Sequence, residues 1–332
     1  MKQFLEKIDS LISKHRWIVV FLCAIPFFND GYTPVRIIPD WIMDYFKILV
    51  FAVLLVLMII RKKRVSPLFI SLSAFEMWWL ITTIINYSVG DSEMYHKLIC
   101  DIVNALVMGL IVEYFKDDPK SLLSGLMLSL ELAIYPELLT VILDYPGARY
   151  YILGYYSTAI LWILPAFAVS SLYILINKKY VRGLLMIVAC FALNIMLWCA
   201  TMIVSLLGQV GLFLLGLVLM KFGKTKNIKL SLGLFVLLAI LGNLFVLFVY
   251  TGGSFPLIDT FIEKVLRRST TFTERTVIWE EAIRMVKEKP IIGHGFRPVV
   301  YAKNSFADSY IHSHNQLLQR LNATGIIGLI MF

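Results

Sequence analysis

The chain has 332 residues, 59% of them hydrophobic and only 16% charged, with a formal net charge of +9. Soluble domains carry roughly a quarter charged residues, so this composition excludes a water-soluble fold and marks an integral membrane protein. The positive balance does not point to nucleic acid, because Lys and Arg are sorted along the chain by position, and Cys23, Cys100, Cys190 and Cys199 lie in or beside apolar runs without metal-ligand spacing.

Residues 1–15 place Phe4, Leu5, Ile8, Leu11 and Ile12 at helical spacing among charges, which predicts a short interfacial helix. The apolar run 17–28 follows a basic flank as a signal peptide would. Asn29-Asp30-Gly31 offers no small-residue cleavage site, so the run is expected to remain as a first span. Further spans are expected at 41–60, 66–87, 95–115, 121–143, 155–176, 183–199, 202–220 and 228–250, with a last one starting near His314. The fold class is therefore an all-α polytopic membrane protein of about ten transmembrane helices. One large extracytoplasmic loop, 251–313, carries an amphipathic helix within what reads as a single transmembrane domain, 1–332. After the polar run 316–322 only 325–332 is strongly apolar, too short to cross unaided. The natural protein is expected to continue with at least one more span.

Lys and Arg set the orientation. With the N-terminus cytoplasmic and sides alternating, the inside segments hold 17 basic residues, among them Arg61-Lys62-Lys63-Arg64, whereas the short outside loops hold three, Arg36, Lys97 and Arg149. The 251–313 segment then faces the extracytoplasmic side.

Within that segment, Thr271-x-x-Glu274 has the form of a capping box and Pro290 sets a far limit, so 272–289 is expected to be a helix. Trp279, Ala282 and Val286 form its apolar face; Arg275 falls on that face, and Glu280, Arg284, Lys287 and Glu288 fall opposite. A guanidinium there needs an anion: a neighbouring carboxylate, a lipid headgroup or a substrate phosphate. Gly293-His294-Gly295 is expected to be a turn, either a plain helix break or a place where backbone approaches a ligand. Ser313-x-x-Gln316 suggests a second capping box, placing His314 and Asn315 in the first turn of the last span. That helix N-terminus would attract phosphate and keep a nearby imidazole neutral, able to take a proton from a hydroxyl. His314 as a simple interfacial cap is the alternative. A zinc site from His294, His312 and His314 is a third option, without the Cys or HExxH spacing that would support it. Glu76, Asp101, Glu131, Glu137, Asn194, Gln209 and Asn243 lie inside spans, as functional groups or as interhelical glue.

The pattern Arg275-x-x-x-Trp279-x-x-Ala282, then Pro290-Ile291-Ile292-Gly293-x-Gly295, then His314-Asn315-x-x-Leu318 with Gly325-Ile326-Ile327-Gly328, resembles the O-antigen ligase and polymerase superfamily of bacterial membrane glycosyltransferases. The resemblance covers roughly the last sixty residues, and their order and spacing after many spans make the set specific. It implies an enzyme of the bacterial cytoplasmic (inner) membrane that joins glycans carried on undecaprenyl pyrophosphate at the outer face, without metal or cofactor. Arg275 would match the loop arginine that holds the donor pyrophosphate, and His314 the histidine that activates the acceptor hydroxyl. The family's earlier Ser-Arg pair has no counterpart in Cys199-Ala200-Thr201-Met202-Ile203-Val204-Ser205, so Arg149, Arg267 or Arg297 is expected to make the second phosphate contact. His312 and Asn315 complete the expected binding set. The implied function is an O-antigen or capsule polymerase, with a ligase that moves glycan onto a lipid or protein acceptor as the alternative. The implied partners are the lipid-linked oligosaccharide, the bilayer, and a flippase and chain-length regulator of the same pathway, with no nucleic acid. A lipid-linked glycan flippase or other secondary transporter is a further reading. It draws on the intramembrane carboxylates but lacks inverted repeats.

Overall fold

The computed structural model describes residues 12, 14–27, 39–86, 92–144, 150–156, 158–197, 200–221, 275–296, 313 and 315–332. The expected interfacial helix (save its last residues), the 228–250 span, and the loop stretches 251–274 and 297–312 lie outside them. The elements are α1 (Arg16–Ala24, continued by a 3-10 turn Ile25–Phe27), α2 (Asp40–Ile60), α3 (Pro67–Asn86), α4 (Ser92–Phe115) and α5 (Pro119–Asp144). A hairpin β1–β2 (Tyr150–Tyr151, Gly154–Tyr155) follows, then α6 (Ile160–Asn177), α7 (Tyr180–Leu197), α8 (Ala200–Lys221), α9 (Arg275–Glu288) and α10 (Gln316–Met331). Six of these, α2 to α7, are long and apolar enough to cross a membrane. Their outward faces are apolar too, with Leu68 at 81% and Val181 at 74% exposed, which suits lipid and not water. The chain is a multi-pass membrane protein.

The described chain forms two compact units: Met1–Ser66 with Val103–Lys221, and Pro67–Ile102 with Phe222–Phe332. In the first, α5, α6 and α7 pack on one another around Met127, Ile134, Ile163, Phe167, Met186 and Leu193. A Cβ on Gly125 would stand 2.6 Å from the Trp17 carbonyl oxygen, so the absent side chain is what lets α1 lie against α5. One end of this unit collects the basic segments. Arg16 pairs with Asp118 at 3.1 Å and Lys63 with Asp117 at 2.8 Å; Lys116 donates to the Arg64 carbonyl at 2.8 Å and Asn177 to the Lys120 carbonyl at 3.1 Å. The Lys63 ammonium holds the Asp117 carboxyl below its ordinary value. Alternate crossing requires these four clusters to share an end, and they do.

Two intramembrane carboxylates of this unit have structural partners. Arg182 grips Glu131 through Nε and Nη2, each at 2.6 Å. Glu137, fully buried, accepts the Leu153 amide at 2.8 Å and so pins the hairpin to α5. That hairpin occupies 150–155, so α6 begins at Ile160 and the expected span start at 155 is corrected.

In the second unit, α3 and α9 pack against α10. Helix α10 is broken: Gly325 sits at φ 65°, ψ −170°, a region open to glycine alone. An unbroken helix would bond the Ile326 amide to the Asn322 carbonyl and the Ile327 amide to the Ala323 carbonyl. Instead the segment after α9 enters both rungs. His294 and Gly295 donate to the Asn322 and Ala323 carbonyls at 2.7 and 2.8 Å, and Ile326 and Ile327 donate to the Pro290 and Ile291 carbonyls at 2.9 and 3.5 Å. Two lost helical bonds become four to the loop, so the four backbone groups of these two rungs all keep a partner.

Candidate functional site

Helix α9 forms as its periodicity predicts. Ile278, Trp279, Ala282 and Met285 are buried, while Glu280, Arg284, Lys287 and Glu288 are exposed; Val286 lies at the margin, and Met285 takes the place expected of it. Arg284 holds the outer face together through Glu281 and Glu288, which raises its already high pKa. The inner face meets Leu318 of α10. Arg275 is the first described residue of α9, one turn ahead of Trp279.

The decisive bond is between Trp279 and Ser313. The buried indole Nε1 donates to the Ser313 carbonyl at 2.6 Å. It fastens the helix that starts at Arg275 to the residue directly before His314. From Ser313 the chain turns into α10. The Ser313 amide donates to Gln319 Oε1 at 2.8 Å and its hydroxyl to the Asn315 carbonyl at 3.0 Å. Asn315 is the N-cap, extended at φ −136° and accepting the Leu318 amide at 3.1 Å. This corrects the expected Ser313-x-x-Gln316 box: the cap lies two residues later, Ser313 reaches Gln319 instead, and Asn315 precedes the first turn. An Asn accepts an N3 amide at least as well as Ser does, which is why the cap moves.

Gly293-His294-Gly295 is the loop that enters α10. A Cβ at Gly293, where φ is 71°, would stand 2.5 Å from the Gly325 amide nitrogen. The His294 ring is also engaged, its Nε2 donating to the Met285 carbonyl at 2.8 Å. Helix α3 braces the same loop and α10: Asn86 donates to the Gly293 carbonyl at 3.1 Å and the Phe296 amide to Thr83 Oγ1 at 3.0 Å, while Trp78 donates to the Thr324 carbonyl of α10 at 2.9 Å.

Of the residues singled out from sequence, Arg149, Arg267, Arg297, His312 and His314 lie outside the described residues. Asn315 is described, as a cap. One cation was missed: Arg320, six residues past His314, whose guanidinium lies 4.8 Å from the Trp79 ring centroid, 5.3 Å from Phe75 and 5.1 Å from Phe332. It was passed over as part of a polar run. An arginine among apolar neighbours at helical spacing is the signal that could have found it.

Residues 191–332 match the family model described as O-antigen ligase. That segment, 142 of the 332 residues, is similar to the O-antigen ligase family. A Rickettsia felis protein provisionally named a polysaccharide ligase is 36% identical over 81 residues, covering 21% of this chain and 20% of the relative. The chain thus matches about a fifth of that relative's length. No solved structure matches the chain. In the matched segment, several described members of the recognised pattern have packing or capping work. Trp279 bonds Ser313, Ala282 and Leu318 share a core, Gly293 and Gly295 enter α10, Asn315 caps it and Gly325 breaks it.

The Trp279 bond can be removed alone. Trp279→Phe keeps a ring but leaves a buried carbonyl without its donor, a loss of about 1–3 kcal/mol. The expected result is a lower melting temperature of the purified protein. An unchanged melt would show that the bond does not hold α9 in place.

Proposed function

We propose that this chain is a metal-independent glycosyltransferase. It joins repeat units carried on undecaprenyl pyrophosphate into an O-antigen or capsule polymer at the outer face of the bacterial inner membrane. The supporting observation is the Trp279–Ser313 bond, which brings the helix beginning at Arg275 to the residue preceding His314. The reaction makes two demands. A sugar hydroxyl attacks the anomeric carbon while the lipid pyrophosphate departs, so the site must stabilise an anion and remove a proton. Arg275, with the positive end of α10, serves the first demand. His314, next to that helix end, serves the second as a neutral imidazole. Arg149, Arg267 or Arg297 supplies the second phosphate contact, with His312 beside the site.

The extracytoplasmic setting, with 251–313 as the catalytic loop of one transmembrane domain, agrees with α3. This helix spans about 30 Å at 1.5 Å per residue. The loop after α9 is bonded to its Asn86 end, whereas its Pro67 end follows the basic turn Arg61–Arg64 in sequence.

Transfer of finished glycan to a lipid or protein acceptor is the second reading, in keeping with the word ligase in the description of the matching family and in the name of the Rickettsia relative. Deleting the gene separates the two. Loss of polymerase leaves single-repeat surface glycan and lipid-linked units on the outer leaflet; loss of ligase leaves long polymer on its carrier. Repeat units stranded on the inner leaflet would assign the chain to transport and end the proposal.

A further inference from the structure

The first unit has a groove that plays no part in glycosyl transfer as proposed above. It runs between α5 and the start of α7, with a volume of about 1080 Å³. Its lower walls are aliphatic and open outward: Leu132 is 54% exposed, Leu139 57% and Leu185 58%. Its upper rim is cationic, formed by Lys178, Lys179 and Arg182, with Glu131 as the one carboxylate. Arg182 is committed to Glu131 by two bonds of 2.6 Å, so the pair is internally neutral and the two lysines set the net charge of the rim. The lysines lie in the turn between α6 and α7. Lys178 closes α6 in the left-handed conformation, φ 58°, and Lys179 leads into α7. The first-turn amides of α7, Tyr180 to Arg182, have no acceptor within the helix and add partial positive charge at the same place. Tyr180, the first residue of α7, flanks the rim, as phenols do at a membrane boundary.

The dimensions fit a lipid. From Leu128 to Leu139 the groove covers about 16 Å along α5 at 1.5 Å per residue, which is one leaflet of a hydrocarbon core about 30 Å thick. The lysine turn belongs to the end that also gathers Arg16, Lys63 and Lys116, where the charged headgroup layer would meet the protein. A zwitterionic headgroup brings its own cation to such a rim; a singly anionic one does not.

We infer that this groove is a binding site for an anionic phospholipid, its phosphate held over Lys178, Lys179 and the α7 N-terminus and one acyl chain lying along Leu128, Leu132, Leu139 and Leu185. The site belongs to the scaffold, and its occupancy stabilises the α5–α6–α7 packing without touching the reacting sugars.

The test uses the full chain purified in detergent, with lipid retention read by native mass spectrometry and stability by thermal melting. Phosphatidylglycerol is expected to stay bound and raise the melting temperature. Phosphatidylcholine at the same concentration should do neither, and the difference should shrink in high salt. In the Lys178→Gln/Lys179→Gln variant, phosphatidylglycerol retention is expected to fall about thirtyfold, from two surface cations acting on one phosphate. Equal retention of the two lipids by the native protein would overturn the proposal, whether or not the variant folds. So would undecaprenyl phosphate displacing phosphatidylglycerol at equal concentration, which would give the groove to the carrier lipid instead.

Discussion

Gly325→Ala is expected to unseat the loop from α10 and to lower the melting temperature of the purified protein by about 4–24 °C. The estimate comes from two separable terms. The φ 65°, ψ −170° conformation is closed to a residue with a Cβ, and holding one there costs about 1–3 kcal/mol. The Cβ would also enter the space of the Ile291 carbonyl and stand 2.6 Å from the Ile292 nitrogen, an overlap with backbone that adds about 1–3 kcal/mol. Each kcal/mol shifts the melt by about 2–4 °C at this chain size. Relief through relaxation requires the four loop bonds at Asn322, Ala323, Ile326 and Ile327 to give way together. Gly208→Ala is the control: among the described residues nothing lies within 4 Å of its added Cβ, and alanine favours a helix interior, so its melt should hold or rise slightly. Equal behaviour of the two variants would mean that the loop is not locked into the helix.

This interlock explains which features the sequence could disclose. Apolar runs bounded by charge or proline define helices locally, so α2, α3 and α5 begin and end within two residues of their expected limits. The inward face of α9 was legible for the same reason, since Trp279 and Ala282 recur at helical spacing. What could not be seen depends on partners far along the chain. Gly293-His294-Gly295 reads as a turn, or as a ligand contact, because periodicity carries no trace of the broken rungs at Asn322 and Ala323. Arg182 reads as a flanking charge until Glu131, 51 residues earlier, is seen to lie within 2.6 Å of it. The cap of α10 was misplaced because Ser313 and Asn315 both offer cap chemistry, and only the fold decides that Ser313 goes to Gln319. The site shows the same division: the frame that joins α9 to the start of α10 is a tertiary fact, whereas Arg275 and His314 are singled out by the family pattern that the sequence resembles.

That division makes substitution of those two residues the sharpest test of the proposed chemistry. Arg275→Ala is expected to reduce polymer or transferred glycan by about 10²–10³-fold, the usual effect of removing a fixed donor from a developing anion. His314→Ala should reduce it by about 10²–10⁴-fold, the range for losing a positioned proton acceptor. Both variants should remain in the membrane at normal amount with native-like melts, because Trp279, Ala282, Asn315 and Gly325, which hold α9 and α10 in place, are untouched. Arg275→Lys divides charge from geometry: lysine keeps the cation but not the planar fork that meets two phosphate oxygens at once, so partial recovery is expected. Trp279→Phe supplies the opposite signature, a lowered melt with residual product, because it loosens the frame and leaves both reacting groups in the chain. The measurement is the amount and length of surface glycan against protein level in a deletion strain carrying each variant. Wild-type glycan from either alanine variant would remove that residue from the reaction. Loss of glycan matched by loss of protein would move it from chemistry to folding.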